Sequence, residues 1–188
     1  MTKSTLIPKE GISITRRFSW LLVVAGFFGF IASADLSIEK IRLLEDPTYQ
    51  LSCNINAVLA CGSVVTTDQA SVFGFANSLI GMAAFPVLFA IGLIGLVNYS
   101  IPKYFLIGVA IGSGLANIFI QWLVYQSLYV IEALCPWCMV VWVVSIPVSF
   151  FAISELNKDS MNLKVFARIA TTGWFFIISA LIVAKFYI

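Results

Sequence analysis

Two pairs of cysteines are the residues of this chain best suited to chemistry. Cys135 and Cys138 lie in the run "ALCPWCMVVW", and Cys53 and Cys61 stand in a more polar stretch upstream. In CPWC, Pro136 suits the first position of a helix and places Cys138 in its first turn. Unpaired backbone N–H groups and the helix dipole there favour a thiolate. Residues so placed hold their Cα atoms about 5 Å apart, inside the disulfide window of roughly 4.4–6.8 Å, so the pair can open and close without moving a helix. The upstream pair differs. In a helix, its cysteines would be separated by roughly 12 Å at about 1.5 Å per residue, too far for a bridge. A Cys53–Cys61 disulfide therefore requires a folded-back loop, which reduction would loosen. A mobile pair beside a fixed pair makes a relay: one loop cysteine faces a soluble partner, and the other reaches the CPWC pair by thiol–disulfide exchange.

Other chemistries fit less well. The chain contains no histidine, and the spacing of Cys53 and Cys61 exceeds the two to four intervening residues usual at zinc sites, so no metal is expected. Inert disulfides in a non-catalytic membrane scaffold are an alternative, but a bridge between Cys135 and Cys138 would constrain almost no loop entropy. Electrons arriving at Cys138 need an acceptor, and no haem ligand set, Rossmann glycines or phosphate loop is present. A lipid-soluble quinone is the natural candidate. Trp137 and Trp142 flank Cys138, with Trp142 on the same helix face about 6 Å deeper. Phe73, Phe75 and Asn77 open another apolar run at the same level. Aromatic belts account for most such residues, whereas a carboxamide at the depth of Asn77 wants a hydrogen-bond partner.

The elements that position these residues are membrane helices. Of 188 residues, 61% are hydrophobic and 11% charged, and mean hydropathy is +1.00. Five apolar runs, about 17–34, 73–97, 104–130, 136–153 and 165–187, are each close to the roughly 20 residues that cross a bilayer. They predict an all-α membrane protein, a four-helix transmembrane bundle plus a fifth transmembrane helix. It forms a single domain over 1–188, with an outer redox loop at 35–72. Within that loop, Ile38, Ile41 and Leu44 have the spacing of a short helix lying on the interface, which Pro47 ends. Residues 1–15 are expected to be frayed. Arg16, Arg17, the core Trp20–Ile31 and Ala32-Ser33-Ala34 also imitate a signal peptide, although cleavage there would leave the cysteines outside all the same.

Orientation follows from the basic residues. With the N-terminus cytoplasmic, Lys3, Lys9, Arg16, Arg17, Lys103, Lys158, Lys164 and Arg168 fall inside, against Lys40, Arg42 and Lys185 outside, as the positive-inside rule prefers. These charges mark topology, and the net charge of +2 implies no nucleic acid. All four cysteines then lie outside, where disulfides persist: beyond a bacterial plasma membrane or in the lumen of the endoplasmic reticulum. Helix contacts are expected at the Gly108/Gly112 GxxxG, at Gly26 and Gly29, and at Gly92 and Gly95. The stripe Ser113, Asn117, Gln121 shares one helix face and is either interhelical glue or a cavity wall. Tight connections at 98–103 and 127–134 predict antiparallel neighbours.

At these residues the chain resembles the vitamin K epoxide reductase family, in its bacterial branch, over about 17–153. The resemblance rests on order: the loop pair Cys53 and Cys61, then "CGSVVTT" with Thr67, then "VFGFANSLIG", then CPWC at a helix start. It implies that Cys53 exchanges with a thioredoxin-fold (DsbA-like) protein, that Cys61 passes electrons to Cys135, and that Cys138 reduces a quinone of ubiquinone, menaquinone or vitamin K type. Asn77 and Trp142 match quinone-contacting positions and Thr67 a residue supporting pocket and loop; Phe73 and Trp137 are expected at the same pocket. Ala76 replaces a frequent proline. Trp142 replaces a tyrosine and cannot accept a hydrogen bond as tyrosine can. Many bacterial members carry a fused thioredoxin domain; this chain stops at Ile188, so a separate partner is expected. The resemblance leaves one enzymatic alternative, reduction of vitamin K epoxide in the endoplasmic reticulum.

Overall fold

The computed structural model of the chain describes residues 11–97 and 100–187. Lys3 and Lys9, most of the expected frayed segment and part of the 98–103 connection lie outside them. Five helices are long and apolar enough to cross a membrane, and the chain is an all-α, multi-pass membrane protein.

Helix α1 (Arg16–Glu45) starts where the Thr15 side chain accepts from Phe18 N–H. It runs for 30 residues, about 45 Å at 1.5 Å per residue, against a hydrocarbon core of about 30 Å. The expected break after Ala34 does not occur. No Gly or Pro interrupts 34–45, so the helix continues instead of restarting as an interfacial one, and stops just before Pro47. Ile38, Ile41 and Leu44 lie exposed on its projecting end, while Leu36, Ser37 and Glu39 are buried.

The short helix α2 (Cys61–Val65) and a 3-10 turn at Asp68–Ser71 lead to α3 (Ser78–Leu96). Helix α3 begins later than the apolar run because Phe73–Asn77 form a turn, with Gly74 at φ +82, a left-handed conformation that glycine adopts without strain. Helix α4 (Lys103–Tyr129) and α5 (Pro136–Leu156) follow. Helix α6 (Met161–Phe186) begins earlier than expected because Ser160 caps it by accepting from Leu163 N–H.

Helix α1 packs most extensively against α3 and also against α5, which in turn contacts α4 and α6. A Cβ added at Gly26 would meet the Phe89 backbone at 2.6 Å, and one at Gly92 would meet Val23 N at 2.8 Å. These glycines let α1 and α3 approach, as expected. The Gly108/Gly112 motif does not: a Cβ at either position meets nothing within 4 Å. Helices α3 and α4 share no extended seam among the described residues, and a cleft opens between them.

The polar stripe on α4 divides. Asn117 donates to Ser149 of α5 at 2.9 Å, and Gln121 accepts from Trp174 of α6 at 2.8 Å, so both are interhelical glue. Ser113 donates to Val109 O of its own helix at 2.6 Å and lines the cleft. At the opposite end of the bundle from CPWC, buried Glu155 of α5 accepts from the N–H and hydroxyl of Thr15 and pairs with Lys158 at 3.2 Å. This clasp ties the end of α5 to the start of α1.

Candidate active site

Beyond α1 the chain folds back onto the helix it has left. Glu39 accepts from the Tyr49 hydroxyl at 3.3 Å, the Ser52 hydroxyl at 3.0 Å and Ser52 N–H at 3.4 Å, a buried carboxylate that fixes the start of the loop. Cys53 and Cys61 form a disulfide with Cα atoms 5.6 Å apart, in the folded-back loop their spacing demands. The intervening chain turns tightly: Leu59 O accepts from Ile55 N at 2.8 Å, and Asn56 Oδ1 accepts from Leu59 N at 2.7 Å.

A two-rung pairing then joins this loop to the turn before α5. Ala60 N donates to Leu134 O at 3.0 Å, and Leu134 N donates to Val58 O at 2.7 Å, making Leu59 and Leu134 a parallel bridge. The residues that follow the pairing are Cys61 and Cys135. Their sulfurs come within 3.4 Å, and both side chains are fully buried among Leu36, Leu51 and Val65.

Cys135 caps α5, and its Sγ accepts from Cys138 N–H at 3.4 Å. The favour of the helix N-terminus, expected at Cys138, thus reaches the Cys135 sulfur first. A hydrogen bond from the Cys138 side chain draws the Cys135 thiol below the ordinary thiol range, against burial and the nearby charge of Asp35. Cys135 and Cys138 are not bridged. The four sulfurs form a line: Cys53 bonded to Cys61, Cys61 against Cys135, and Cys138 one helical turn on.

Cys138 opens on the cleft, a cavity of about 700 Å³ among α3, α4 and α5. Its wall includes Phe73, Asn77 and Trp142 and reaches down to Tyr104 and Phe105 at the other end of α4. Trp142 is buried, and the Phe73 ring stacks on Phe75 and tilts against Phe119. Asn77 finds its partners in the turn itself, donating to Gln69 O at 2.7 Å and accepting from Val72 N at 3.2 Å. One further N–H remains on its amide. Two candidates lie off the wall. Thr67 donates to Val64 O at 2.7 Å and closes α2, and Trp137 packs on the sulfur cluster.

Sequence reasoning missed the two acids of α1 that face this cluster. Glu39 anchors the loop. Asp35, one turn earlier on α1, keeps its Oδ2 buried without a hydrogen-bond partner in the protein. The available signal was an acidic residue at the end of an apolar run, where a charge needs a reason.

The family model described as the vitamin K epoxide reductase family matches residues 20–153. No curated protein matches the chain.

Proposed function

The chain belongs to the vitamin K epoxide reductase family, and on that premise we propose that it reoxidises a separate thioredoxin-fold (DsbA-like) dithiol protein at the expense of a quinone. The family makes it a membrane oxidoreductase of thiols and disulfides. The finer reading places the cysteines on the outer side of a bacterial plasma membrane, the N-terminus inside, and Cys53, Cys61, Cys135 and Cys138 on the electron path.

The observation that carries the path is the 3.4 Å contact between Cys61 and Cys135, with Cys138 opening on an apolar cleft of about 700 Å³. The partner's dithiol reduces the Cys53–Cys61 bridge through a mixed disulfide at Cys53, which is itself buried but adjoins the exposed residues 54–57, whereas Cys61 is wholly sealed. The Cys61 thiolate then attacks Cys135 of a Cys135–Cys138 bridge, and Cys138 leaves as the thiolate. Cys53 closes again on Cys61, releasing Cys135. The product of these exchanges is one bridge at Cys53–Cys61 and two thiols at Cys135 and Cys138, the arrangement observed. Those thiols then become a disulfide, and their two electrons and two protons convert a quinone to a hydroquinone.

The cleft suits that substrate. Its wall is almost wholly apolar, as a prenylated ring needs, and Asn77 and the sulfur of Cys138 stand at one end. Phe73 and Trp142 supply flat surfaces there, and Thr67 and Trp137 support the loop and the CPWC turn from outside the wall.

Anaerobic mixing of the purified protein with a reduced thioredoxin-fold oxidase and a soluble quinone tests the reading, with quinone absorbance followed for wild type and Cys138→Ser. The wild type should consume quinone and the variant should not. No consumption by folded, fully oxidised wild type would overturn the reading, and consumption by the variant would remove Cys138 from its end.

A further inference from the structure

Lys40, Arg42 and Lys185 stand at the CPWC end of the bundle, and two of them have carboxylate partners. Arg42 lies 4.0 Å from Glu39 and donates to the Tyr49 hydroxyl, and Lys185 pairs with Glu132 at 2.6 Å. Lys40 of α1 forms no ion pair among the described residues. Its ammonium donates instead to the carbonyl of Val65, the last residue of α2, at 2.5 Å.

That bond holds the lysine at the wall of the cleft. Lys40 and Val65 both line it, on the same cavity as Cys138 and Asn77, and Lys40 is the one charged side chain among the described lining residues. A lysine near the end of a membrane span ordinarily lays its stem along apolar surface and carries its head out to water or to lipid headgroups. Here a protein carbonyl fixes the head beside an apolar cavity. An ammonium has three N–H donors, and Val65 engages one of them. Quinone reduction creates a matching demand, because negative charge develops on the ring oxygens as electrons arrive. A cation already fixed in an apolar site meets that charge without reorganising, and the low dielectric strengthens the attraction. Asn77 offers a neutral donor to the same cavity; Lys40 offers the charge.

We propose that Lys40 is a catalytic residue of quinone reduction: its ammonium donates a hydrogen bond to one ring oxygen of the bound quinone and stabilises the negative charge that develops there. The inference rests on the thiol:quinone reading. In the balanced step, the S–H bonds of Cys135 and Cys138 break, one S–S bond forms, and two electrons pass to the quinone. The two thiol protons complete the hydroquinone, and Lys40 keeps its own protons throughout.

The test uses the whole protein and two readouts. With both cysteine pairs oxidised, so that bound quinone is not consumed, infrared difference spectroscopy reads the carbonyl stretch of a soluble quinone. A cation on the oxygen weakens the C=O bond, so the band should lie lower on wild type than in detergent alone. Lys40→Arg should move the band to a different but still lowered frequency, and Lys40→Met should return it towards the detergent value. With Cys135 and Cys138 then reduced and Cys53–Cys61 bridged, anaerobic single turnover reads quinone reduction. Lys40→Met should slow it at least about tenfold, given the roughly 10²–10³ lost with one preorganised donor in a closed site, and Lys40→Arg should keep most of the rate.

A lysine that only tethers α2 to α1 gives another pattern. Lys40→Met would then slow transfer between the loop pair and Cys135, and leave the carbonyl band and the single turnover at their wild-type values. That pattern would overturn the proposal, as would a band in Lys40→Arg identical with the wild type, a result that does not depend on Lys40→Met folding. Failure of wild type to bind or consume quinone would instead overturn the thiol:quinone reading, and this inference with it.

Discussion

The proposed relay turns on Cys135, because this sulfur touches both of its neighbours there. Its Sγ lies 3.4 Å from Cys61 Sγ and accepts the N–H of Cys138. The hydrogen bond from the Cys138 side chain is the largest influence holding its thiol below the ordinary range, so the thiolate is populated at a lower pH than in a free cysteine. Cys138→Ala, which keeps the backbone N–H and removes the side-chain donor, should therefore raise the pH at which the Cys135 thiolate appears. Ultraviolet thiolate absorbance, measured with Cys53–Cys61 bridged, checks this; an unchanged titration would assign the depression to the helix terminus alone. At this scale much was legible in the sequence. The four cysteines, their order and the first-turn position of Cys138 follow from spacing and Pro136. The assignment of the helix-terminal favour to Cys135 was not legible, since it depends on which sulfur turns back to cap the helix.

Among the elements, the contact that brings the pairs together is a short pairing between Val58–Ala60 and Leu134. Two rungs between segments far apart in sequence leave no periodic signal, and periodicity is what makes helices and strands readable. Helix α1 illustrates the converse: its apolar spacing was visible, but the absence of a break between Ala34 and Glu45 outweighed the expected end of the membrane span. The GxxxG of α4 reads the same whether it faces a helix or open space, and here it faces the cleft. Helix α4 lines that cleft from Tyr104 to Ser127, about 35 Å at 1.5 Å per residue, far longer than a quinone ring. A prenyl tail lying along Gly108 and Gly112 follows from the proposed function. Gly112→Phe should then raise KM for a long-tailed quinone about tenfold, equivalent to roughly 1.4 kcal/mol of lost apolar burial, and leave a tail-less quinone unaffected. Equal effects on both substrates would place the tail elsewhere.

The whole molecule is a membrane frame with its redox groups gathered at one corner. Close α1–α3 packing at Gly26 and Gly92, the central position of α5 and the Glu155 clasp at the far end hold that frame, while Glu39 and the pairing at Leu134 hold the loop to it. The fold class was readable because long apolar runs with few charges have one stable form in a bilayer. The arrangement of the helices was not, since helices apolar on all sides carry no stripe to say which face meets a neighbour. In the proposed function, what makes the corner a single device is transfer between Cys61 and Cys135. The most direct measurement is peptide mapping of the Cys53→Ser/Cys138→Ser variant, which leaves Cys61 and Cys135 as the chain's two cysteines, after mild oxidation in membranes. The relay predicts an intramolecular Cys61–Cys135 disulfide in most molecules. Two free thiols, or bridges only between molecules, in a folded protein would contradict it.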